Sequence, residues 1–276
     1  VKPQSKKELI EMISSYTSVF EPNSKAEYSN SNYVLLSFIL EEVYKKSYKE
    51  ILKEMIIDKI GLKNTKFGTP ANTDKNEAFS YSYMGEWEQI SESDMSIPLG
   101  AGAIVSTPTD LTQFSTALFA EKLIKKSSLN KMTTLKENFG LGIFPILYSD
   151  KKGYGHTGGI DGFVSKLEYF PSINLSVAIC SNGYNYDNNE IASCALSAYF
   201  KDDKFQIPSF KTAKISSEEL DQYLGTYSSK VLPMKITFSK KGNILIAFPE
   251  GQQKTPLESK GNHVFSFEQA GAIFEF

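Results

Sequence analysis

Cysteine and histidine are scarce in this chain, with two of each among 276 residues. Cys180 and Cys194 have neither the number nor the spacing of a disulfide framework or a zinc site. Each lies in an apolar stretch, and both read as buried thiols. Long hydrophobic runs are missing as well: no stretch approaches the roughly 20 uncharged apolar residues that a membrane-spanning helix needs. Blocks of like charge are also absent, and Lys+Arg 30 against Asp+Glu 32 leaves a formal net charge of −2. That balance excludes the basic footprint of a nucleic-acid binder. No signal-peptide pattern opens the chain, which begins VKPQSKKELIEMISSY, on Val rather than Met and directly in a helical pattern. It reads as an interior piece of a longer precursor, and the last strand pattern breaks off at Phe276 in the same way.

What is present is ample material for a core. The chain is 41% hydrophobic and 13% aromatic, enough for one large or two modest globular domains. The stretch AEYSNSNYVLL, residues 26–36, sets a polar run of Tyr, Ser and Asn where an apolar helical pattern begins. Ser and Asn are the usual N-cap residues, and a cap explains one of them. Tyr28, Ser29, Asn30, Ser31 and Asn32 arrive together, and that surplus admits a functional reading alongside capping. After the run, Tyr33, Val34, Leu36, Ser37, Leu40, Val43 and Tyr44 share one helical face, which predicts a helix from about Asn32 to Lys46.

Further helical spacing in YKEILKEMIIDKIGL stops at Gly61, a natural C-cap. Residues 72–96 alternate like short strands or a long binding loop. In PLGAGAIVSTPTDLTQF, small residues precede Ser106 or Thr107, and Asp110 follows three positions after Thr107 in the arrangement of a capping box with Asp in place of Glu. A helix is expected from Pro108 to about Ala120. NFGLGIFPIL, GYGHTGGIDGFVSKLEYFP and NLSVAICSN predict consecutive strands broken by Gly, Asp-Gly and Pro-Ser turns, an antiparallel meander closed by a helix from Asn189 to Phe200. Beyond the linker KDDKFQIPSFKTAK, short strands recur with KKGN, EG and KGN between them. The expected organisation is a domain over 1–200, a linker over 201–214 and a small all-β module over 215–276, which resembles a lipocalin-like barrel.

His156 lies in GHTGGIDGF, residues 155–163, with four glycines that permit close backbone approach. A tight turn with an incidental imidazole accounts for the pattern as well as a site does. His263, in GNHVFSF, reads as a strand residue with no evident partner.

Together, YSNSNYVLL, IGLKNTKF, GAGAIVSTPTDLTQF and HTGGIDGF, in this order over about residues 8 to 200, resemble the serine beta-lactamase and penicillin-binding-protein family, in the branch of class C beta-lactamases, D-alanyl-D-alanine peptidases and esterases. The resemblance implies an α/β (α+β) fold, an antiparallel sheet flanked by helices. It implies no metal and no cofactor, a small-molecule or peptide substrate, and a cell-envelope, periplasmic or secreted setting. It also implies site roles. Tyr28 would be the base or proton shuttle, Asn30 would hydrogen-bond the acyl-side amide, and His156, Thr157 and Gly158 would line the opposite wall. The Gly159 N–H would be one of two oxyanion donors. An unperturbed phenol titrates near ~10, so a phenolate base needs neighbouring positive charge. Beta-lactamases of the branch mostly carry lysine where His156 stands. Histidine, half-charged near ~6.5, favours peptidase or esterase chemistry.

The family's Ser-x-x-Lys, which belongs several tens of residues before Tyr28, is not among the 27 residues that precede it. The strings Ser128 to Lys131 and Ser149 to Lys152 are in the wrong places and read as chance matches. Two functions stay open: a serine hydrolase that works through an acyl-enzyme and needs an N-terminal segment to complete its site, or a nucleophile-free module that binds peptidoglycan-like or peptide ligands. A domain lacking part of its sheet and its nucleophile helix should expose a large apolar surface.

Overall fold

The computed structural model of the chain describes residues 2–202, 205–207, 212–228, 234–252, 254–267 and 271–276. In chain order it holds α1 (Lys6–Ser14), α2 (Asn30–Tyr44), α3 (Tyr48–Leu52), a π-helical turn at Lys53–Ile57, and α4 (Asp58–Ile60). Short strands β1 (Lys66–Phe67), β2 (Tyr81–Tyr83), β3 (Trp87–Gln89) and β4 (Ile104–Val105) precede α5 (Pro108–Phe119) and α6 (Lys126–Thr133). Four longer strands follow, β5 (Phe144–Tyr148), β6 (Lys151–Ile160), β7 (Phe163–Phe170) and β8 (Leu175–Ser181), then α7 (Asn188–Phe200). Strands β9 (Gly225–Tyr227), β10 (Ile236–Lys241), β11 (Ile244–Pro249), β12 (Thr255–Gly261), β13 (Val264–Phe267) and β14 (Ala272–Glu275) end the chain. The residues group into two units, Val1–Phe79 with Ser91–Asn182, and Ser80–Ile90 with Gly183–Phe276. Of the expected linker, residues 203–204 and 208–211 lie outside the described residues.

In the first unit, β5-β6-β7-β8 form an antiparallel meander in that order. Tyr154 pairs with Tyr169 and Tyr169 with Ser176, so the three side chains share a face. Helix α5 covers it: Phe119 stacks on Tyr169 at 4.4 Å and on Tyr154 at 5.8 Å between ring centroids, and Ser115 Oγ lies 2.6 Å from Ser176 Oγ. The β6–β7 connection is the expected Asp-Gly turn, with Asp161 left-handed at φ 53°. The strand expected across NFGLGIFPIL begins only at Phe144. Glu137, Asn138 and Gly142 take positive φ, and the Gly140 N–H donates to Ile143 O at 2.9 Å, which makes residues 137–143 a turn.

The helix boundaries follow local chemistry. Ser5 and Glu8 close a capping box at α1, and Ser47 and Glu50 another at α3. Gly61 ends α4 as a left-handed C-cap at φ 69°, as its position after the apolar run predicts. At α5 the Thr107 hydroxyl accepts from the Asp110 N–H at 3.3 Å, but the Asp110 carboxylate does not return to close a box. It is buried and accepts from the Asn64 N–H and the Thr65 hydroxyl, each at 2.7 Å, tying the turn after α4 to α5.

Helix α2 buries Val34, Ser37 and Phe38 against Leu9, Ile13, Leu99 and Ala101. The face expected to be buried is therefore split, with Leu36, Leu40, Val43 and Tyr44 exposed, and Ile39 beside them is exposed as well. The helix is apolar nearly all round, and only one side meets α1 and the 3₁₀ turn Leu99–Ala101. Two of the other readings also change. Cys180 is exposed, near the end of the outer strand β8, and Cys194 is half-buried; both are free thiols. His263 is not in a strand but in a left-handed turn beside Asn262, and its Nδ1 lies 2.7 Å from the Tyr223 hydroxyl.

In the second unit, β9 to β14 form a six-stranded antiparallel meander around Leu220, Tyr223, Phe238, Leu245, Ala247, Leu257 and Phe265. The β2–β3 hairpin belongs to this unit. A side chain at Gly85 would meet Ile244 Cδ1 at 1.8 Å, and Glu88 pairs with Lys241 at 2.7 Å. Among the described residues no helix is long and apolar enough to cross a membrane.

Replacing Asp110 with Ala leaves the Asn64 N–H and Thr65 hydroxyl without their buried acceptor. The expected loss is about 3 kcal/mol, read as an earlier thermal transition; melting alongside the parent would contradict the tie.

Candidate active site

The polar run enters α2 without being consumed as a cap. Ser29 holds the N-cap position in extended geometry, φ −147° and ψ 115°, and makes no capping hydrogen bond. Asn30 is the first helical residue and is exposed, which leaves its amide free to meet a ligand. The segment before it is anchored from across the unit. The Ala26 N–H donates to Glu137 Oε2 at 2.8 Å, and Lys136 Nζ donates to Asn23 O at 2.8 Å.

These anchors deliver Tyr28 to the sheet. Its ring centroid lies 6.0 Å from His156 and 6.1 Å from Phe144, and Phe144 lies 5.0 Å from His156. His156 is two residues beyond Tyr154 on the same face of β6, past the part that α5 covers. Its Nδ1 rests against the Thr157 carbonyl, a contact that fits an Nδ1–H donor. Thr157, Gly158 and Gly159 are exposed. Sequence reasoning thus named two residues, 128 positions apart, that the fold brings into contact. It did not name Phe144, the third ring; only its position at the start of a strand beside the glycine-rich one could have signalled it.

Tyr33, one turn into α2, was placed only on the helix face. Burial, then the charge of Tyr28 close by, raises its pKa above the ordinary phenol value, while the Gly142 amide opposes them by hydrogen-bonding the hydroxyl.

The small-residue stretch is the joint between the two walls. A Cβ at Gly100 would sit 2.5 Å from the Tyr33 carbonyl oxygen, so the 3₁₀ turn lies backbone to backbone on the first turn of α2. A Cβ at Gly102 would meet Pro98 at 3.3 Å and Ile160 Cδ1, at the end of β6, at 3.8 Å. The glycines of β6 divide by cause. A Cβ at Gly155 would lie 2.2 Å from the backbone oxygen of Leu167, so packing requires glycine there, whereas one at Gly158 would meet only Ser165 Oγ, at 2.4 Å, a hydroxyl that can rotate away. At Gly159 only Phe163 O comes within reach, at 4.0 Å. Nothing in the fold demands glycine there, and the open space lies over the exposed end of the strand.

Ser128 lies on α6, and Ser149 forms the β5–β6 turn at φ 53°. The strand from Lys151 to His156 separates Ser149 from the aromatic cluster by roughly 17 Å. No group of three or more His, Cys, Asp or Glu side chains is arranged to hold a metal among the described residues.

An exposed phenol at a helix start thus faces a histidine on a glycine-rich strand with open backbone beside it. A sequence model of the Beta-lactamase family matches residues 2–193, and the chain belongs to that family of serine hydrolases. It is 27% identical over 172 residues to penicillin-binding protein 4* of Bacillus subtilis (strain 168), covering 54% of this chain and 38% of that protein. Among solved structures it is similar to a D-stereospecific amidohydrolase from Streptomyces sp., with TM-score 0.61 and 28% identity over 66% of this chain and 57% of that one. The D-amino acid amidase from Ochrobactrum anthropi SV3 gives TM-score 0.60 and 26% identity over 71% and 65% of the two chains. The chain thus spans under two-fifths of that curated relative and under two-thirds of these two solved chains.

The glycine analysis predicts a dissociation of effects. Gly155→Ala should cost at least about 2 kcal/mol by forcing Cβ into the Leu167 carbonyl. Gly159→Ala should change stability by less than about 1 kcal/mol. Equal losses in calorimetric melting would refute the distinction.

Proposed function

We propose that the chain forms most of the site of a serine hydrolase that cleaves amide or ester bonds through an acyl-enzyme. The substrates would be D-alanyl-D-alanine-type peptides, D-amino acid amides, small esters or beta-lactams. The observation that carries this reading is the approach of Tyr28 to His156 and Phe144 beside the open end of β6. In it, Tyr28 takes the proton of a serine hydroxyl and returns it to the leaving group. Asn30 holds the acyl-side amide, His156 and Thr157 face the substrate's polar end, and the backbone at Gly158 and Gly159 forms the floor. The Gly159 N–H donates to the developing oxyanion. The names of the solved relatives favour substrates with a D-configured residue next to the scissile bond, and histidine at 156 favours amidase, peptidase or esterase action over efficient beta-lactam hydrolysis.

The serine and its lysine would come from a segment that this sequence does not include. The exposed stripe of Leu36, Ile39, Leu40 and Val43 on α2 supports that reading, because an apolar stripe of this kind is where another element packs. A cell-envelope or secreted setting follows from the same family logic. The competing reading is a binding module that never turns its ligand over.

The two readings separate on one set of variants. In a full-length protein that includes the upstream segment, Tyr28→Phe should keep the fold and lower turnover by about 10²–10⁴. Asn30→Ala and His156→Ala should act mainly on KM. The 276-residue chain should form no adduct with a fluorophosphonate or a fluorescent beta-lactam, and the full-length protein should label with at least one. A full-length protein that binds substrate without labelling or turnover would establish the binding module instead.

A further inference from the structure

Asp161 was read from the sequence only as half of an Asp-Gly turn, and the proposed chemistry gives it no task. In the structure its carboxylate is fully engaged by one residue 68 positions earlier. Asp161 Oδ2 accepts from the Ser93 N–H at 2.9 Å and Oδ1 from the Ser93 hydroxyl at 2.7 Å. Both acceptor atoms thus clasp one residue, and the left-handed φ of 53° at Asp161 turns the carboxylate off the end of β6.

Ser93 sits in a segment, residues 91–98, without regular structure of its own that is tied to the rest of the unit at three places. Glu92 Oε2 accepts from the Ala71 N–H at 2.9 Å, and within the segment Asp94 Oδ1 accepts from the Ser96 N–H at 2.9 Å. The Ser96 hydroxyl accepts from the Gln4 N–H at 3.0 Å, and the Ser93 clasp is the third tie. The segment runs directly into Leu99–Ala101, the turn that lies on the Tyr33 carbonyl, and Pro98 and Gly102 meet beside Ile160. One end of the segment is therefore pinned at the tip of β6, and the other continues into the joint with α2. The exposed stretch Thr157–Gly159 precedes that tip along β6.

We propose that Asp161 is a positioning residue for the hydrolytic site. By clasping Ser93 it holds residues 91–98 along the open end of β6 as the rim that receives the substrate. The proposal rests on the hydrolase reading for its substrate, whereas the clasp is a property of this chain alone. The segment contributes no reacting group, so its loosening weakens substrate binding while leaving the chemical step in place. Asn at 161 keeps a carbonyl oxygen that can accept from Ser93 and tolerates a left-handed φ, so it should restore most of the effect.

Two measurements test this. In hydrogen exchange on the 276-residue chain, the amides of residues 92–96 should exchange at least about tenfold faster in Asp161→Ala and near the parental rate in Asp161→Asn. In the full-length protein hydrolysing D-alanine p-nitroanilide, Asp161→Ala and Ser93→Ala should raise KM by about five- to twentyfold with kcat within about twofold, and Asp161→Asn should lie close to the parent. Unchanged exchange in Asp161→Ala overturns the clasp. Faster exchange with unchanged KM, or a fall confined to kcat, overturns the positioning role. A parent that hydrolyses no anilide or ester defeats the hydrolase reading by itself, and the exchange measurement then still decides whether Asp161 holds the segment.

Discussion

The backbone contact at Gly100 sets the geometry of everything around the site. A Cβ there would lie 2.5 Å from the Tyr33 carbonyl oxygen, so the 3₁₀ turn Leu99–Ala101 can rest on the first turn of α2 only because the residue has no side chain. That turn runs into Gly102, whose neighbours are Pro98 and the tip of β6 at Ile160. The helix start that presents Tyr28 and Asn30 is thereby referenced to the strand that presents His156 and Gly159. An added methylene at such a contact forces backbone shifts rather than rotamer changes, and a misplacement of about 1 Å between catalytic groups is enough to cost a hundredfold in rate.

The rest of the unit guards that reference. Asp110 spends its carboxylate on the turn after α4, and Glu137 and Lys136 hold the strand-free segment that leads to Tyr28. Helix α5 closes one end of the sheet through Phe119, Tyr154 and Tyr169 and leaves the other end to Tyr28, Phe144 and His156. Polar atoms aimed at backbone groups position the site, and the groups proposed to meet substrate, Asn30, Thr157 and the Gly159 N–H, stay exposed and unoccupied by packing. This division of labour is what a preorganised acyl-transfer site requires.

Much of this was legible in the sequence. The meander of β5 to β8, the left-handed stop at Gly61 and the Thr107 cap all follow from short-range rules, because turn and cap chemistry is local. Tyr28 and His156 could be paired from their motifs and not from any period. What was not legible depended on burial or on distant partners. Helix α2 is apolar nearly all round, so its spacing could not say that Val34, Ser37 and Phe38 would be covered and Leu40 and Val43 left out. Asp110 has the position of a capping-box residue, yet the Asn64 N–H, 46 residues away in the chain, and the Thr65 hydroxyl claim its carboxylate. Cys180 lies in an apolar run but near the end of an outer strand, where it is exposed. His263 finds Tyr223 only through the folding of the second unit.

The most direct test of the account is a crystal structure of the full-length protein after reaction with a phosphonate analogue of a D-amino acid ester. The account predicts a phosphonyl oxygen accepting from the Gly159 N–H at about 2.7–3.1 Å, with Tyr28 Oη beside the modified serine and the Asn30 amide on the acyl side. An adduct whose oxygen points away from Gly159, with Tyr28 turned out of reach of the serine, would contradict it.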